Sequence, residues 1–253
     1  MEPRRPLVIA HRGASADHPE NTLTAFAAAA EAGADLVELD ARLTADGAVV
    51  VLHDAELERT TDARGLVHRM RLAEVKQADA SGGRAPREEI PTLREVLELL
   101  EGTGTGVDVE IKNLPGEPSY RPGGEEIVEA VAEALKGFPG AALITSFDAP
   151  TLRSAMEAAP DVPTGLLALP GDELIALDLA DEDGHRWLLP YAGIFDHDGD
   201  DLLDAAARRG IEVGTWTVDD EGRMERLFAR GLAAVATNRP ALAVAARRRA
   251  LRP

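Results

Sequence analysis

Glu38 and Asp40 stand two residues apart in the segment VELDA, and Glu110 and Lys112 stand two apart in VDVEIKN. Side chains at that spacing in a strand leave the same face. If the two segments are consecutive staves of one sheet, three carboxyl groups and one ammonium converge at one rim. Burying an unpaired carboxylate is costly, and a divalent cation with oxygen ligands offsets the cost. Mg2+ or Ca2+ matches such a donor set. The sequence has no Cys and no helix-spaced pair of histidines, which argues against zinc. A plain ion network, with Glu38 or Asp40 held by Arg42 and Glu110 by Lys112, uses the same residues. The spacing alone leaves both readings open.

Two imidazoles belong with this cluster. LVIAH ends at His11 and VVVLH ends at His53. Paired imidazoles offer a general base and a general acid near neutral pH. Arg12 adds a planar fork suited to a phosphate. Lys112 is one of only three lysines, with Lys76 and Lys136, in a chain that otherwise uses Arg. A compact ammonium at a strand end suits a phosphate oxygen as a point charge. The remaining histidines are weaker candidates. His18 precedes a Pro in a loop, His68 lies in a polar stretch, and His185 and His197 lie in acidic runs. The run DHDGD lacks the ligand spacing of an EF-hand.

These residues need a scaffold that brings strand ends together. Apolar runs at Leu7–His11, Leu36–Asp40, Val107–Lys112, Ala142–Ser146, Thr164–Leu167, within Trp187–Phe195, Glu212–Thr217 and Ala234–Thr237 alternate with helical patterns. Eight strands joined by crossover helices form a parallel sheet that can close into a TIM-type (β/α)8 barrel, with its chemistry at the C-terminal strand ends. A ninth run, Val49–His53, follows the second strand with no helix between. Asp46-Gly47 marks a hairpin there, so this run is expected to return antiparallel on the rim and bring His53 beside Asp40. In ENTLTAFAAAAEAG, Leu23, Phe26, Ala27 and Ala30 are expected on one helix face. Thr92 to Glu95 fits a capping box. The chain reads as one domain over 1–253, with a small insertion at about 55–91. The closing RRRALRP reads as a solvated helix end.

The formal charge is −18, from 27 Lys and Arg against 45 Asp and Glu. Such a surface repels nucleic acid and anionic membranes, and neither is expected as a partner. The N-terminal stretch lacks the apolar core and cleavage site of a signal peptide. With no Cys, a cytoplasmic location is expected.

AHRG, PENTLTAF, VELD, VVVLHD, LERTT, EIPTLREVL, VEIK, TSF and GTWTVD, in this order from Leu7 to about Pro240, resemble the glycerophosphodiester phosphodiesterase family, most closely its bacterial members without a signal peptide. The resemblance implies hydrolysis of glycerophosphodiesters to sn-glycerol 3-phosphate and an alcohol. It implies that His11 and His53 are the acid–base pair, Arg12 and Lys112 phosphate contacts, and Glu38, Asp40 and Glu110 ligands to one Mg2+ or Ca2+. Phe147 and Trp216 would form the apolar pocket wall. Glu20 and Asn21 in PENT read equally as core, cap or substrate contact. The family's last strand often ends Gly-x-Asp-Gly-Ile-x-Thr-Asp; here Ala233 replaces the first acid. Gly171–Gly184 matches no part of the pattern. A rival substrate is a lysophospholipid, for which Leu66, Val67, Met70 and Leu72 would form an exposed apolar patch. A rival of another class is a non-catalytic barrel that binds phosphate metabolites.

Overall fold

The computed structural model of the chain describes residues 5–196 and 199–252. In chain order the strands are β1 (Leu7–His11), β2 (Leu36–Leu43), β3 (Val49–Val51), β4 (Gly106–Ile111), β5 (Ala142–Ser146), β6 (Thr164–Ala168), β7 (Trp187–Pro190), β8 (Glu212–Thr215) and β9 (Ala234–Thr237). All but β3 run parallel, and β1 pairs with both β2 and β9, so eight strands close into a TIM barrel. The helices α1 (Leu23–Glu31), α2 (Leu72–Val75), α3 (Leu93–Leu100), α4 (Glu125–Leu135), α5 (Ala149–Ala158), α6 (Glu173–Asp183), α7 (Gly199–Arg209), α8 (Glu221–Ala229) and α9 (Pro240–Ala250) surround it, with short α2 in the segment between β3 and α3.

Strand alternation sorts side chains into two environments. Val8, Val37, Leu39, Val107, Val109, Ile144 and Val235 face outward into the main apolar layer under the helices. Ile9, Leu36, Leu143, Leu167, Trp187 and Leu189 fill the lower barrel interior. Toward the C-terminal ends the inward positions change character. Glu38 and Asp40 follow Leu36 on β2, and Glu110 follows Asp108 on β4. Register places His11 opposite Glu38 and Asp40 opposite Glu110. The rim is polar because its inward residues are.

The β2–β3 hairpin forms as the Asp46-Gly47 signal requires, with Ala41 paired to Val51 antiparallel. Its last rung is the bond from Leu52 N to Asp40 O, 2.9 Å, which delivers His53 to the rim. The segment that follows packs Leu57, Val67, Val75, Ala78, Ala80 and Ile90 against Val50 and Leu52. Thr92 caps α3 with Glu95 in a reciprocal capping box.

Several expectations need correction. Val67 is buried, and Leu66, Met70 and Leu72 are half-buried in or beside that small core, so they form no exposed patch. On α1 the buried face is Ala25, Phe26 and Ala29, about one position from the predicted phase; in an alanine-rich helix periodicity barely distinguishes adjacent phases. The arginines of the last turn of α9 are not all solvated. Arg247 is buried, donating to Pro6 O at 2.9 Å and pairing with Asp35, which ties the C-terminal helix to the barrel floor.

Candidate active site

Glu38, Asp40 and Glu110 each present a carboxyl oxygen, and these atoms lie within 4.8 Å of one another. All three side chains are buried. Glu38 Oε2 accepts a hydrogen bond from Arg12 N at 2.9 Å, and Asp40 Oδ2 accepts from Asn21 Nδ2 at 2.7 Å. Lys112 Nζ sits 3.0 Å from Asp40 Oδ1 and 2.5 Å from Glu110 Oε1. Arg12 Nε lies 3.2 Å from Asp40 Oδ2, in ion-pair range but not aligned as a hydrogen bond. The alternative Arg42 pairing does not occur: Arg42 binds Glu117 at 2.7 Å instead.

The three acids are electrostatically unequal. Burial, and then the neighbouring Asp40 and Glu110, raise the pKa of Glu38 well above the ordinary carboxylate range. Burial also raises Glu110, with Lys112 opposing. Burial pushes Asp40 the same way, but Lys112 and Arg12 outweigh it and hold that carboxyl below its usual range. Lys112 and Arg12 stay firmly charged, because Glu110 and Asp40 for the first and Asp40, Glu38 and Glu20 for the second overcome burial. Glu38 Oε1 is buried without a hydrogen-bond partner, and Asp40 Oδ1 is buried with only the ion-pair contact to Lys112 Nζ at 3.0 Å. Oxygen-only donors with unspent lone pairs fit a hard divalent cation.

The loop after β1 is shaped to serve this cluster. Arg12 adopts a left-handed φ of 56°, uncommon for a side chain with a Cβ, and this turns its N–H toward Glu38. Gly13 follows with φ +82°; a Cβ there would fall 2.6 Å from the backbone carbon of Ala25, so glycine is required. Glu20 Oε1 accepts from Arg12 Nη1 at 2.9 Å and also receives Arg59 from the segment between β3 and α3.

The two imidazoles have different supports. His11 Nδ1 lies 2.7 Å from Asn238 Oδ1, which also accepts from Ser15 Oγ at 2.8 Å. Asn238 Nδ2 donates to Asp219 at 2.6 Å, which fixes the amide with its oxygen toward the ring. His11 therefore carries its proton on Nδ1. His53 Nδ1 lies 2.6 Å from the Asp54 carboxylate, itself paired with Arg59. Burial and then Arg12 lower the pKa of His11; burial and then Lys112 lower that of His53, with Asp40 and Asp54 opposing.

Across the mouth, Phe147 and Trp216 pack edge to face with centroids 5.5 Å apart, and Tyr191 packs on Trp216 at 5.6 Å. Lys112 Nζ lies 6.0 Å from the Phe147 ring centroid, so this wall adjoins the charged cluster. All nine predicted site residues thus line one rim. The sequence reading missed Ser15, Asp54, Arg59, Tyr191, Asp219 and Asn238, and left Glu20 and Asn21 open. For Asn238 a signal existed, since it occupies the position where the resembled pattern ends in Asp. Of the other histidines, His185 is buried and bonded to Thr164 at 2.9 Å, and His197 lies outside the described residues.

An eight-stranded barrel with charged groups and two imidazoles gathered at its C-terminal rim has the architecture of a barrel enzyme. The profile of the glycerophosphoryl diester phosphodiesterase family matches residues 11–242. A glycerophosphodiester phosphodiesterase of Caldanaerobacter subterraneus subsp. tengcongensis is 37% identical over 240 residues, spanning 92% of this chain and 94% of that one. Another from Bacillus subtilis is 31% identical, spanning 96% and 86%. The structure of an Oleispira antarctica phosphodiesterase in complex with the product sn-glycerol-3-phosphate superposes with a TM-score of 0.84 at 33% identity, over 95% and 96% of the two chains. The chain belongs to the glycerophosphoryl diester phosphodiesterase family and is an enzyme of that class. No helix among the described residues is long and apolar enough to cross a membrane.

Proposed function

We propose that the enzyme hydrolyses glycerophosphodiesters to sn-glycerol 3-phosphate and an alcohol, with one Mg2+ or Ca2+ held by Glu38, Asp40 and Glu110. The observation that carries this reading is the set of three buried, converging carboxyl groups, with Glu38 Oε1 unbonded, flanked by Arg12, Lys112 and both imidazoles. When bound, such an ion supplies positive charge and polarises a phosphoryl oxygen. Arg12 and Lys112 hold the phosphate against the rim, and the Phe147–Trp216 wall takes the glycerol face.

His11 acts as the base and His53 as the acid. His11 donates its Nδ1–H to a neutral amide and lies beside Arg12, which favours a neutral ring with a free Nε2 lone pair. His53 lies at 2.6 Å from a carboxylate, which favours the imidazolium form against the burial and the Lys112 charge that lower its pKa. Nε2 of His11 takes a proton from the attacking oxygen, which is either water or a substrate hydroxyl whose cyclic phosphate a water then opens. His53 gives one to the departing alcohol. The charge of −18 and the absence of Cys support a cytoplasmic enzyme acting on small molecules. Turnover of glycerophosphocholine with and without EDTA tests the reading: choline and sn-glycerol 3-phosphate should appear together, and only with the metal.

One observation favours a second substrate, a lysophospholipid. Leu169, Tyr191, Leu174 and Ile175 are exposed at 52%, 42%, 66% and 62%, on the loop after β6, the end of β7 and the first turn of α6. Tyr191 packs on Trp216 at 5.6 Å, and the group lies on the arc opposite the one sequence suggested. Release of choline from lysophosphatidylcholine below its micelle concentration tests this reading; no release would discard it.

A further inference from the structure

We infer that Arg42 is a positioning residue for His53, and that Glu117 makes this positioning depend on the loop between β4 and α4; the inference rests on the role proposed above for His53. The β2–β3 ladder stops one residue short of that histidine, since its last rung joins Leu52 N to Asp40 O. Beyond it the backbone of His53 is held by a side chain. Arg42 donates to the His53 carbonyl through Nε at 2.8 Å and Nη2 at 2.5 Å, and among the described residues it is the only donor to that oxygen. Arg42 is buried, with 4% of its surface exposed.

The same guanidinium is engaged from the other side. Its Nη1 and Nη2 donate to the two oxygens of Glu117 at 2.7 and 3.0 Å. Glu117 lies in the loop joining β4 to α4, downstream of Glu110 and Lys112. A planar fork satisfied at both edges is fixed in orientation as well as place, so the loop, Arg42 and the histidine backbone form one rigid relay. A cavity of about 170 Å3, lined also by Ala55, His68, Ser119 and Arg121, adjoins Arg42, so the guanidinium and the chain just beyond His53 border open space. Displacement of an acid by about 1 Å can cost about 100-fold in rate without loss of fold.

A mere structural clamp and a positioning residue differ in what they do to different leaving groups. An acid matters for a choline alkoxide and little for a p-nitrophenolate, which leaves without a proton. We therefore expect Arg42→Met to lower kcat for glycerophosphocholine about ten-fold or more, with KM nearly unchanged and the p-nitrophenyl diester barely affected. Glu117→Gln, on a partly exposed loop, should give the same pattern more weakly and covers the case in which Arg42→Met does not fold. Arg42→Lys should restore only part, since one ammonium cannot make both forks. His53→Ala is the reference. If it slows both substrates equally, the acid assignment fails, and Arg42→Met must then follow it in slowing both for the positioning to stand. Wild-type kcat in Arg42→Met, or in Glu117→Gln where the former does not fold, overturns the inference. So does a leaving-group pattern unlike that of His53→Ala.

Discussion

From β9 round to β4 the barrel rim carries Asn238, His11, Arg12, Glu38, Asp40, Glu110 and Lys112; from β5 to β8 it carries Phe147, Leu169, Tyr191 and Trp216. The first arc is bonded throughout, each charged group held by an opposite charge or an amide. The second is held by ring packing and one indole bond, Trp216 Nε1 to Leu189 O at 2.8 Å. Chemistry on a phosphate needs fixed charges, whose positions fall off in value within ångströms. Holding a glycerol or a chain needs only shape and apolar area. The two arcs therefore tolerate change differently, and substitutions can test that difference.

The largest effects belong to the charged arc. His11→Ala and His53→Ala should each lower kcat on the order of 100-fold or more while the circular dichroism stays unchanged; near wild-type turnover in either would remove it from the acid–base pair. Trp216→Ala on the opposite arc should act chiefly on binding, raising KM for glycerophosphocholine about ten-fold while kcat changes far less. A fall in kcat matching that of the histidine variants would erase the proposed division between the arcs.

A subtler effect concerns Asn238. Burial and Arg12 place the pKa of His11 below its ordinary value, so the acidic limb of kcat/KM, where a base gains its working form as pH rises, should be complete by neutrality. In Asn238→Asp a carboxylate would stabilise the imidazolium and move that limb to higher pH. An unmoved limb would mean that the base is not His11.

The smallest effect lies beneath the mouth. Burial pushes the Asp108 carboxyl up to about 8, although Thr145 donates to it at 2.8 Å. Its folded pKa is raised, so the native chain keeps a proton that the unfolded chain releases above 3.8. The associated stability is present at acid pH and is lost as pH rises toward 8. Asp108→Asn should remove this dependence, raising Tm by a few degrees at pH 8 in chelated enzyme and hardly at all near pH 4. Equal changes at both pH values would show that Asp108 is ionised in the fold.

The same contrast explains what could be read in the sequence. Charged residues spaced by two inside apolar runs, as in VELDA and VDVEIKN, stand out from a core pattern, so the charged arc was legible down to the three carboxyl groups that converge at the rim. The barrel followed from the alternation of strands and helices, and β3 from Asp46-Gly47. The apolar arc was not legible by pattern. Tyr191 and Leu169 resemble any core residue until topology places them on the rim, and Phe147 and Trp216 were found by resemblance alone. Long-range partners were also hidden. Asn238 meets His11 from 227 positions away, and Arg42 meets Glu117 from 75, distances across which no local period carries information.

Exhaustively chelated enzyme shows whether Glu38, Asp40 and Glu110 hold a divalent ion needed for phosphodiester hydrolysis. Calorimetric titration with Mg2+ or Ca2+ should give one ion per chain, and glycerophosphocholine turnover, absent after chelation, should return in step with that binding. Glu110→Gln should weaken both together. Full turnover in the chelated enzyme, or turnover restored without an ion bound at this cluster, would contradict the claim and leave the three acids as a structural network with Arg12 and Lys112.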